Sequence, residues 1–298
     1  MYIKEIAQTS VQSIFKLKVS DYAQLTKLRL SFLVVLSAVL SFFLAVDQFS
    51  WIKFISLVIG GFMVTGASNT FNQIIEKDLD KLMSRTEDRP LPANRMHVNE
   101  ALWLAGIMAV VGVSILWYFL NPLSGVLGAL ALFTYVAIYT PLKRIHPIAV
   151  FVGAFPGAIP PMLGYVAVTG EMGMIPGILF AVQFIWQFPH FWAIAWKVDD
   201  DYKKAGFSLL PSRGRKDKSS AFLIFVYCLF LIPVSLLPFL FGISGILSVW
   251  VATIAGLWFM YYAVKLFFDL QDKSATQLMF ASFFYLPILQ IIYLIDKV

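Results

Sequence analysis

The chain has 298 residues, of which 59% are hydrophobic and only 13% charged, with a mean hydropathy of +0.78. That balance excludes an ordinary soluble globule and points to a protein embedded in a bilayer. The net charge of +6 would fit a nucleic-acid partner only if the basic residues formed one patch, and their distribution along the chain gives them another meaning.

Residues 1–29 read as a cytoplasmic or interfacial arm, in which Ile3, Ile6, Val11, Ile14, Phe15 and Leu17 alternate with Lys16, Lys18 and acids, the pattern of a helix lying at a membrane surface. No short apolar run with a small-residue cleavage site precedes the first span, so no signal peptide is expected. Residues 30–298 read as a single transmembrane domain. Nine apolar segments are long enough to cross: Leu30–Val46, Phe54–Ser68, Ala101–Leu120, Leu123–Tyr139, Pro147–Thr169, Ile175–Trp196, Ala221–Phe241, Ile246–Val264 and Leu278–Ile295. With the N-terminus in the cytoplasm, 21 of the 23 Lys and Arg residues fall on that side and only Lys53 and Lys297 outside. The positive-inside rule fixes this orientation and agrees with an odd number of spans. The basic excess is therefore topology, and no nucleic acid is expected. The single cysteine, Cys228, excludes an intramolecular disulfide.

In chain order, Thr26-Lys27-Leu28-Arg29 at the first mouth reads most simply as a snorkelling anchor, the alternative being a phosphate contact. The second segment carries Thr65, Ser68 and Asn69, too polar a face for lipid, and runs into the stretch Asn72–Pro92. There Asn72, Glu76 and Asp80 follow i, i+4, i+8 spacing, which stacks their oxygens along one helix face. Arg85 and Arg89 come next, before the Pro90-Leu91-Pro92 stop. Segments three and four, joined only by Asn121-Pro122, are expected to form a hairpin of mainly structural role, with Lys143-Arg144 as another anchor. The fifth packs Gly153, Pro156, Gly157, Pro160, Pro161 and Gly164 into one span, which either close helix packing or a cavity would explain. In the sixth, Gln183, Gln187 and His190 share a stripe that continues past Ile194 and Lys197 to Asp201, and it is expected to line the same cavity as Asn69 and Asn72. Segments seven to nine look like packing helices.

Two acidic clusters stand out: Glu76, Asp78, Asp80, Glu87 and Asp88 in one interior loop region, and Asp199, Asp200, Asp201 and Asp217 in another. Brought together they would repel unless cations neutralised them, and Mg²⁺, which joins carboxylates to substrate phosphates, is the natural choice. Arg85, Arg89, Lys203 and Lys204 beside them imply an anionic ligand. A lipid diphosphate suits a charged mouth over a greasy interior. For any one acid a solvated surface charge is the better account; the ladder, the arginines and the second cluster together favour a site. A secondary transporter is the rival from another class, but transporter sites usually lie near the midplane and these acids gather at one interface.

The ladder Asn72-x₃-Glu76-x₃-Asp80 and the acidic cluster after the sixth segment resemble the two aspartate-rich motifs of the UbiA-type intramembrane prenyltransferases. Glu76 stands where the family's first motif, N-x-x-x-D-x-x-x-D, usually has its middle Asp. Met83-Ser84-Arg85-Thr86, Arg89-Pro90-Leu91-Pro92, Thr26-Lys27-x-Arg29, Pro189-His190-Phe191-Trp192-Ala193 and Asp200-Asp201-Tyr202 are similar to the haem-farnesylating branch, as are Ala205-Gly206 and Leu210-Pro211. Leu28, where Pro is common, and Ser208 depart from it. The resemblance covers nearly the whole chain. It implies an all-α integral membrane protein, about nine transmembrane helices in a UbiA-like bundle around a central intramembrane cavity, in a bacterial inner membrane with its active-site loops cytoplasmic. It implies Mg²⁺ as cofactor, held by Asn72, Glu76, Asp80, Asp200 and Asp201, with Asn72, Glu76, Asp80 and Asp201 catalytic. Lys27, Arg29, Arg85, Arg89 and Lys204 would bind the diphosphate. Gln187 and His190 are the candidate haem contacts, a helix-packing histidine being the competing account of His190; His97 and His146 are expected to be structural. Farnesyl diphosphate and haem B would be the substrates and haem O the product, with haem A synthase or oxidase-assembly factors as partners. Within the same family, a polyprenyltransferase acting on an aromatic acceptor such as 4-hydroxybenzoate is the alternative.

Overall fold

Local chemistry sets several of the helix ends. In this computed structural model, which describes residues 17–212 and 214–298, α1 covers 17–25 and turns through Thr26 and Lys27 into α2 (Leu28–Ala45). The earlier part of the expected interfacial helix, 1–16, lies outside the described residues. The helices that follow are α3 (Trp51–Asp80), α4 (Val98–Ile115), α5 (Pro122–Phe133), α6 (Thr140–Leu142), α7 (Ala149–Thr169), α8 (Met174–Lys197), α9 (Asp199–Lys204), α10 (Lys218–Ser235), α11 (Leu237–Leu240), α12 (Ile246–Asp269) and α13 (Asp272–Ile295). Asn121 caps α5 by accepting from the Ser124 N–H at 2.8 Å, with Pro122 at the first turn, where its missing N–H costs nothing. Asp217 caps α10 in the same way through Ser220. Gly170, at φ 74°, closes α7 in the left-handed conformation that glycine adopts without strain.

Nine helices among the described residues are long and apolar enough to span a bilayer, with α4 and α5 each lengthened at its C-terminal end. Most of them match the sequence segments to within about three residues, α12 runs on to Asp269 and α13 starts early at Asp272, and one departure is telling. α3 does not stop where its apolar run ends near Ser68 but continues unbroken to Asp80, so the ladder stands on a rigid helix. Large apolar side chains such as Trp51, Trp103, Val110, Phe230, Trp250 and Phe268 remain exposed around the bundle, as expected of surfaces that face hydrocarbon rather than water.

Helices α2, α7, α8 and α13 form the middle of the bundle; α3, α4 and α5 pack on one side, and α10 and α12 on the other. The proline- and glycine-rich α7 is an uninterrupted helix, and close packing accounts for its composition. A Cβ on Gly164 would run into the backbone carbonyl of Ala38, and one on Gly157 into the Gln187 side chain, so both glycines let helices approach where a side chain would hold them apart.

Two π-helical turns interrupt the pattern, at Leu116–Leu120 and Thr134–Tyr139. The first ends at Asn121, whose extended backbone breaks the helix before Pro122; the second runs straight into Pro141, whose ring crowds the preceding turn and which cannot donate an amide hydrogen bond. Widening the turn relieves that conflict, and such π turns concentrate at functional sites. The second one faces the ladder.

Candidate active site

α3 carries Asn69, Asn72, Glu76 and Asp80 into the protein rather than toward lipid. Glu76 is 4% exposed and Asp80 0%. A carboxylate this deep needs a partner, and each has one cation. Arg89 Nη1 donates to Asp80 Oδ2 at 2.7 Å. Lys143 Nζ lies 2.6 Å from Glu76 Oε1, a charge contact outside hydrogen-bond geometry. Asp80 Oδ1 is buried with no partner at all. The Asn72 amide donates to Thr140 Oγ1 at 3.2 Å, which leaves its carbonyl oxygen as the free acceptor.

The turns after α3 aim Arg89 back at the helix it follows. Thr86 Oγ1 donates to the Asp80 carbonyl at 2.9 Å, and the Arg89 N–H to the Thr86 carbonyl. Arg95 then ties this loop to α1 through Asp21 at 2.9 Å, the Gln24 side chain and the Asp88 carbonyl. From α3, the Gln73 amide donates to the carbonyls of Gln24 and Leu25. These bonds hold the end of α1, where the chain turns through Lys27 at φ 47°. Burial, with Arg89 and Lys143 nearby, pushes the Lys27 ammonium down to about 7, while Glu76 and Asp80 oppose the shift. Lys27 is thus within reach of the charges of this wall, whereas Leu28 and Arg29 are exposed.

The expectation that Lys143 is an anchor is overturned at the end of the fourth span, beyond α5. The π turn brings Thr140 onto Asn72 and Lys143 onto Glu76, with Lys143 buried between the ring of Tyr139, 5.1 Å from its centroid, and that of Phe207, at 5.4 Å. Only Arg144 behaves as an exposed anchor. No local signal marked this wall, because the π turn at Thr134–Tyr139 breaks the 3.6-residue period that would have placed Lys143 on a face.

The second acidic cluster meets the first loop rather than the ladder carboxylates. Lys204 donates to Asp201 at 2.9 Å and to Ser84 at 3.4 Å, and the Asp201 carboxyl is held below the usual carboxylate range chiefly by that Lys204 bond, with the Ser84 and Arg85 amides adding to it. Arg85 lies over the Tyr202 ring, 5.9 Å from its centroid. Asp199 is buried against Lys203 at 2.6 Å, and Asp200 is exposed. Apolar contacts of Met83 with Ala205 and Phe207 complete the clasp between the loops.

The stripe on α8 does not line this site. Gln183 donates to the Gly157 carbonyl and accepts from Ser37 and Gln290, and Gln187 donates to the carbonyl of Ala154. His190 Nδ1 meets Ser282 Oγ at 2.7 Å and its ring stacks on Trp186 at 4.4 Å. These polar groups satisfy one another between helices, as buried polar groups must. The adjacent face of α8, Phe191 and Ile194, instead lines a cavity of about 80 Å³ together with Tyr139, Gly153, Tyr202 and Leu209. It opens beside the Lys143 wall and is one apolar lobe, well below the roughly 300–1,000 Å³ of a complete small-molecule site.

The donor set fits a divalent cation that shares its ligands with a substrate. Among the described residues no three His, Cys, Asp or Glu side chains converge to hold a metal alone. A buried, unpartnered Asp80 oxygen, a Glu76 oxygen satisfied only by charge and the free Asn72 carbonyl make a partial oxygen shell. Mg²⁺ characteristically completes such a shell with phosphate oxygens and water.

Sequence comparison decides the family. The profile of the UbiA prenyltransferase family matches residues 34–286. The chain belongs to that family. It is 48% identical over 283 residues to the protoheme IX farnesyltransferase of Christiangramia forsetii, covering 93% of each chain. With the protoheme IX farnesyltransferase of Cytophaga hutchinsonii it shares 47% over 278 residues, covering 93% of this chain and 97% of the relative. Among solved structures, digeranylgeranylglyceryl phosphate synthase superimposes with a TM-score of 0.79 at 18% identity, over 94% of this chain and 98% of that one. A UbiA homologue from Archaeoglobus fulgidus bound to DMAPP and Mg²⁺ gives 0.67 at 14% identity, over 92% and 99%. The UbiA fold is thereby established, and the Asn72, Glu76, Asp80 wall lies at one end of it.

Proposed function

We propose that this chain is a Mg²⁺-dependent farnesyltransferase acting on protohaem IX, converting haem B and farnesyl diphosphate to haem O and diphosphate, with the site loops on the cytoplasmic side of a bacterial inner membrane. The observation that carries the reading is the buried Asn72, Glu76, Asp80 wall with Lys27, Arg89 and Lys143 packed around it. The names of the relatives supply the acceptor, and the distribution of basic residues supplies the sidedness.

Asn72, Glu76 and Asp80 would hold Mg²⁺, which supplies Lewis-acid neutralisation of the diphosphate. Arg89, Lys143 and Lys27 take up the negative charge that grows on the diphosphate as its allylic C–O bond breaks and the electron pair leaves with oxygen. Asp201, Lys204 and Arg85 hold the second loop against the first, closing the charged mouth. The faces of Tyr139, Tyr202 and Phe191 shelter the farnesyl cation and exclude water from it. A haem vinyl group then attacks C1, the carbocation formed beside the porphyrin is captured by water, and a proton is released to give the hydroxyethylfarnesyl side chain. Asp200 and Arg29, both exposed, contribute from the rim. Of the two haem candidates, Gln187 is spent on the Ala154 carbonyl, and His190 can reach a haem only through Nε2, because Nδ1 engages Ser282.

The test is to incubate the detergent-purified protein with Mg²⁺, farnesyl diphosphate and either protohaem or 4-hydroxybenzoate, and to weigh the products. A haem product heavier by farnesyl plus water is expected. A prenylated aromatic acid with unchanged haem would overturn the assignment.

A further inference from the structure

The cavity beside the Lys143 wall is closed on its deeper side by one amide. Two helices supply most of its lining, Val150 and Gly153 from α7 and Phe191 and Ile194 from α8. At about 100° per residue, Gly157 falls between the first pair on the face of α7 and Gln187 between the second pair on the face of α8. Each lies about one turn farther from the charged mouth than its nearer neighbour, Gly153 or Phe191. There the two residues meet: a Cβ on Gly157 would run into Gln187 Oε1, so the Gln187 side chain crosses the gap between the helices and rests on the Gly157 backbone.

This amide is held in place. Gln187 is 3% exposed, and its Nε2 donates to the Ala154 carbonyl at 2.9 Å and to the Gln183 carbonyl at 3.3 Å. A second amide stands behind it. Pro161 has no N–H to offer the Gly157 carbonyl, and Gln183 Nε2 donates to that carbonyl at 2.8 Å, while Gln183 Oε1 accepts from Ser37 and from Gln290, each at 3.0 Å. A hydrocarbon chain that pushed Gln187 aside would strip its N–H groups of their carbonyl partners in a place where no water replaces them.

We infer that Gln187, seated on Gly157, is the stop that limits the length of the prenyl chain and so sets the preference for a farnesyl donor over a longer one. This rests on the diphosphate-transfer reading above, with the tail entering the cavity past Tyr139 and Phe191. The charged wall fixes one end of the donor and the Gln187 amide meets the other, so the protein measures length between two fixed points. Gln187 is accordingly a specificity-determining residue, and Gly157 is the backbone platform that lets it lie flat.

The experiment gives the detergent-purified full chain Mg²⁺, protohaem and an equimolar mixture of geranyl, farnesyl and geranylgeranyl diphosphates, and reads the product ratios by mass, which report the ratios of kcat/KM. Wild type should give mainly the farnesylated product. Gln187→Ala, which removes the stop, should raise the ratio of geranylgeranyl to farnesyl product about tenfold or more. Gly157→Ala should act in the opposite sense: Gln183 stands behind the displaced amide and directs it toward the cavity, so the ratio of geranyl to farnesyl product should rise by about the same factor. A role confined to helix packing would lower all three products together and leave their ratios alone. Unchanged donor ratios in an active Gln187→Ala protein, with or without a changed KM for protohaem, would overturn the stop while leaving the transferase reading intact, as would a shift of Gly157→Ala toward the longer donor. No haem product from wild type with any donor would overturn both.

Discussion

Replacing Arg89 by Met should destabilise the protein more than any contact count implies, because it strands Asp80. At the 2.7 Å separation of that pair, the Coulomb attraction is about 6 kcal/mol at an effective dielectric constant of 20. Much of it only repays desolvation, so the net loss on removing one partner is about 3–5 kcal/mol. The double variant Arg89→Met, Asp80→Asn no longer buries a lone charge, and the amide matches the carboxylate in size. It should recover about 2–3 kcal/mol of that loss, the coupling expected between directly paired residues. SDS titration of the wild type, both single variants and the double variant in mixed micelles, followed by tryptophan fluorescence, gives the four corners of the cycle. Additive effects, with the double variant as unstable as the sum of the singles, would refute the claim that the two residues neutralise each other.

Three further outcomes follow from the same geometry. Asp80→Asn should lower turnover by about 10²–10³-fold or more while inserting normally; product mass spectrometry beside a membrane-fraction blot checks both, and near-wild-type turnover would remove Asp80 from the metal site. Lys27, whose burial pushes its ammonium down to about 7 against about 10.4 when unperturbed, is largely neutral at pH 8; a bound diphosphate favours the charged form, so binding should take up a proton there and weaken as pH rises above 7. Calorimetry with farnesyl thiodiphosphate in buffers of differing ionisation heat would detect that uptake, and Lys27→Met should abolish it. Gly164→Ala, whose Cβ meets the Ala38 carbonyl, should cost about 1–3 kcal/mol, whereas Gly106→Ala, with open space around it, should be neutral or slightly stabilising in the same titration.

The spans and the ladder were legible in the sequence because each rests on a period: apolar runs of bilayer length, and oxygen-bearing residues four apart on one helix. In sequence Arg89 reads toward an anionic ligand, and its pairing with Asp80 follows only once the burial of that carboxylate is known. Lys143 was misread for a physical reason. A lysine at the end of an apolar segment usually snorkels, and only the π turn ahead of Pro141, which no periodicity at 3.6 residues registers, swings it inward. The Gln183, Gln187, His190 stripe failed in the opposite sense. Its polarity was real, but buried amides and imidazoles find partners on neighbouring helices as readily as in a cavity, and spacing along one helix does not say which. The strapping of Lys27 by Gln73 and Arg95 joins residues far apart in sequence and has no local signature.

The π turn at Thr134–Tyr139 also sets a reading frame within the fold. The π turn takes up one residue more than the same stretch of α-helix. Forcing all six residues into α geometry, at about 100° per residue, would rotate Thr140 and Lys143 off the ladder, whereas deleting one of them would let the turn relax with both still facing it. Loss of a single codon here is therefore the tolerated change and gain of one the disruptive change, although neither alters the hydropathy of the fourth span.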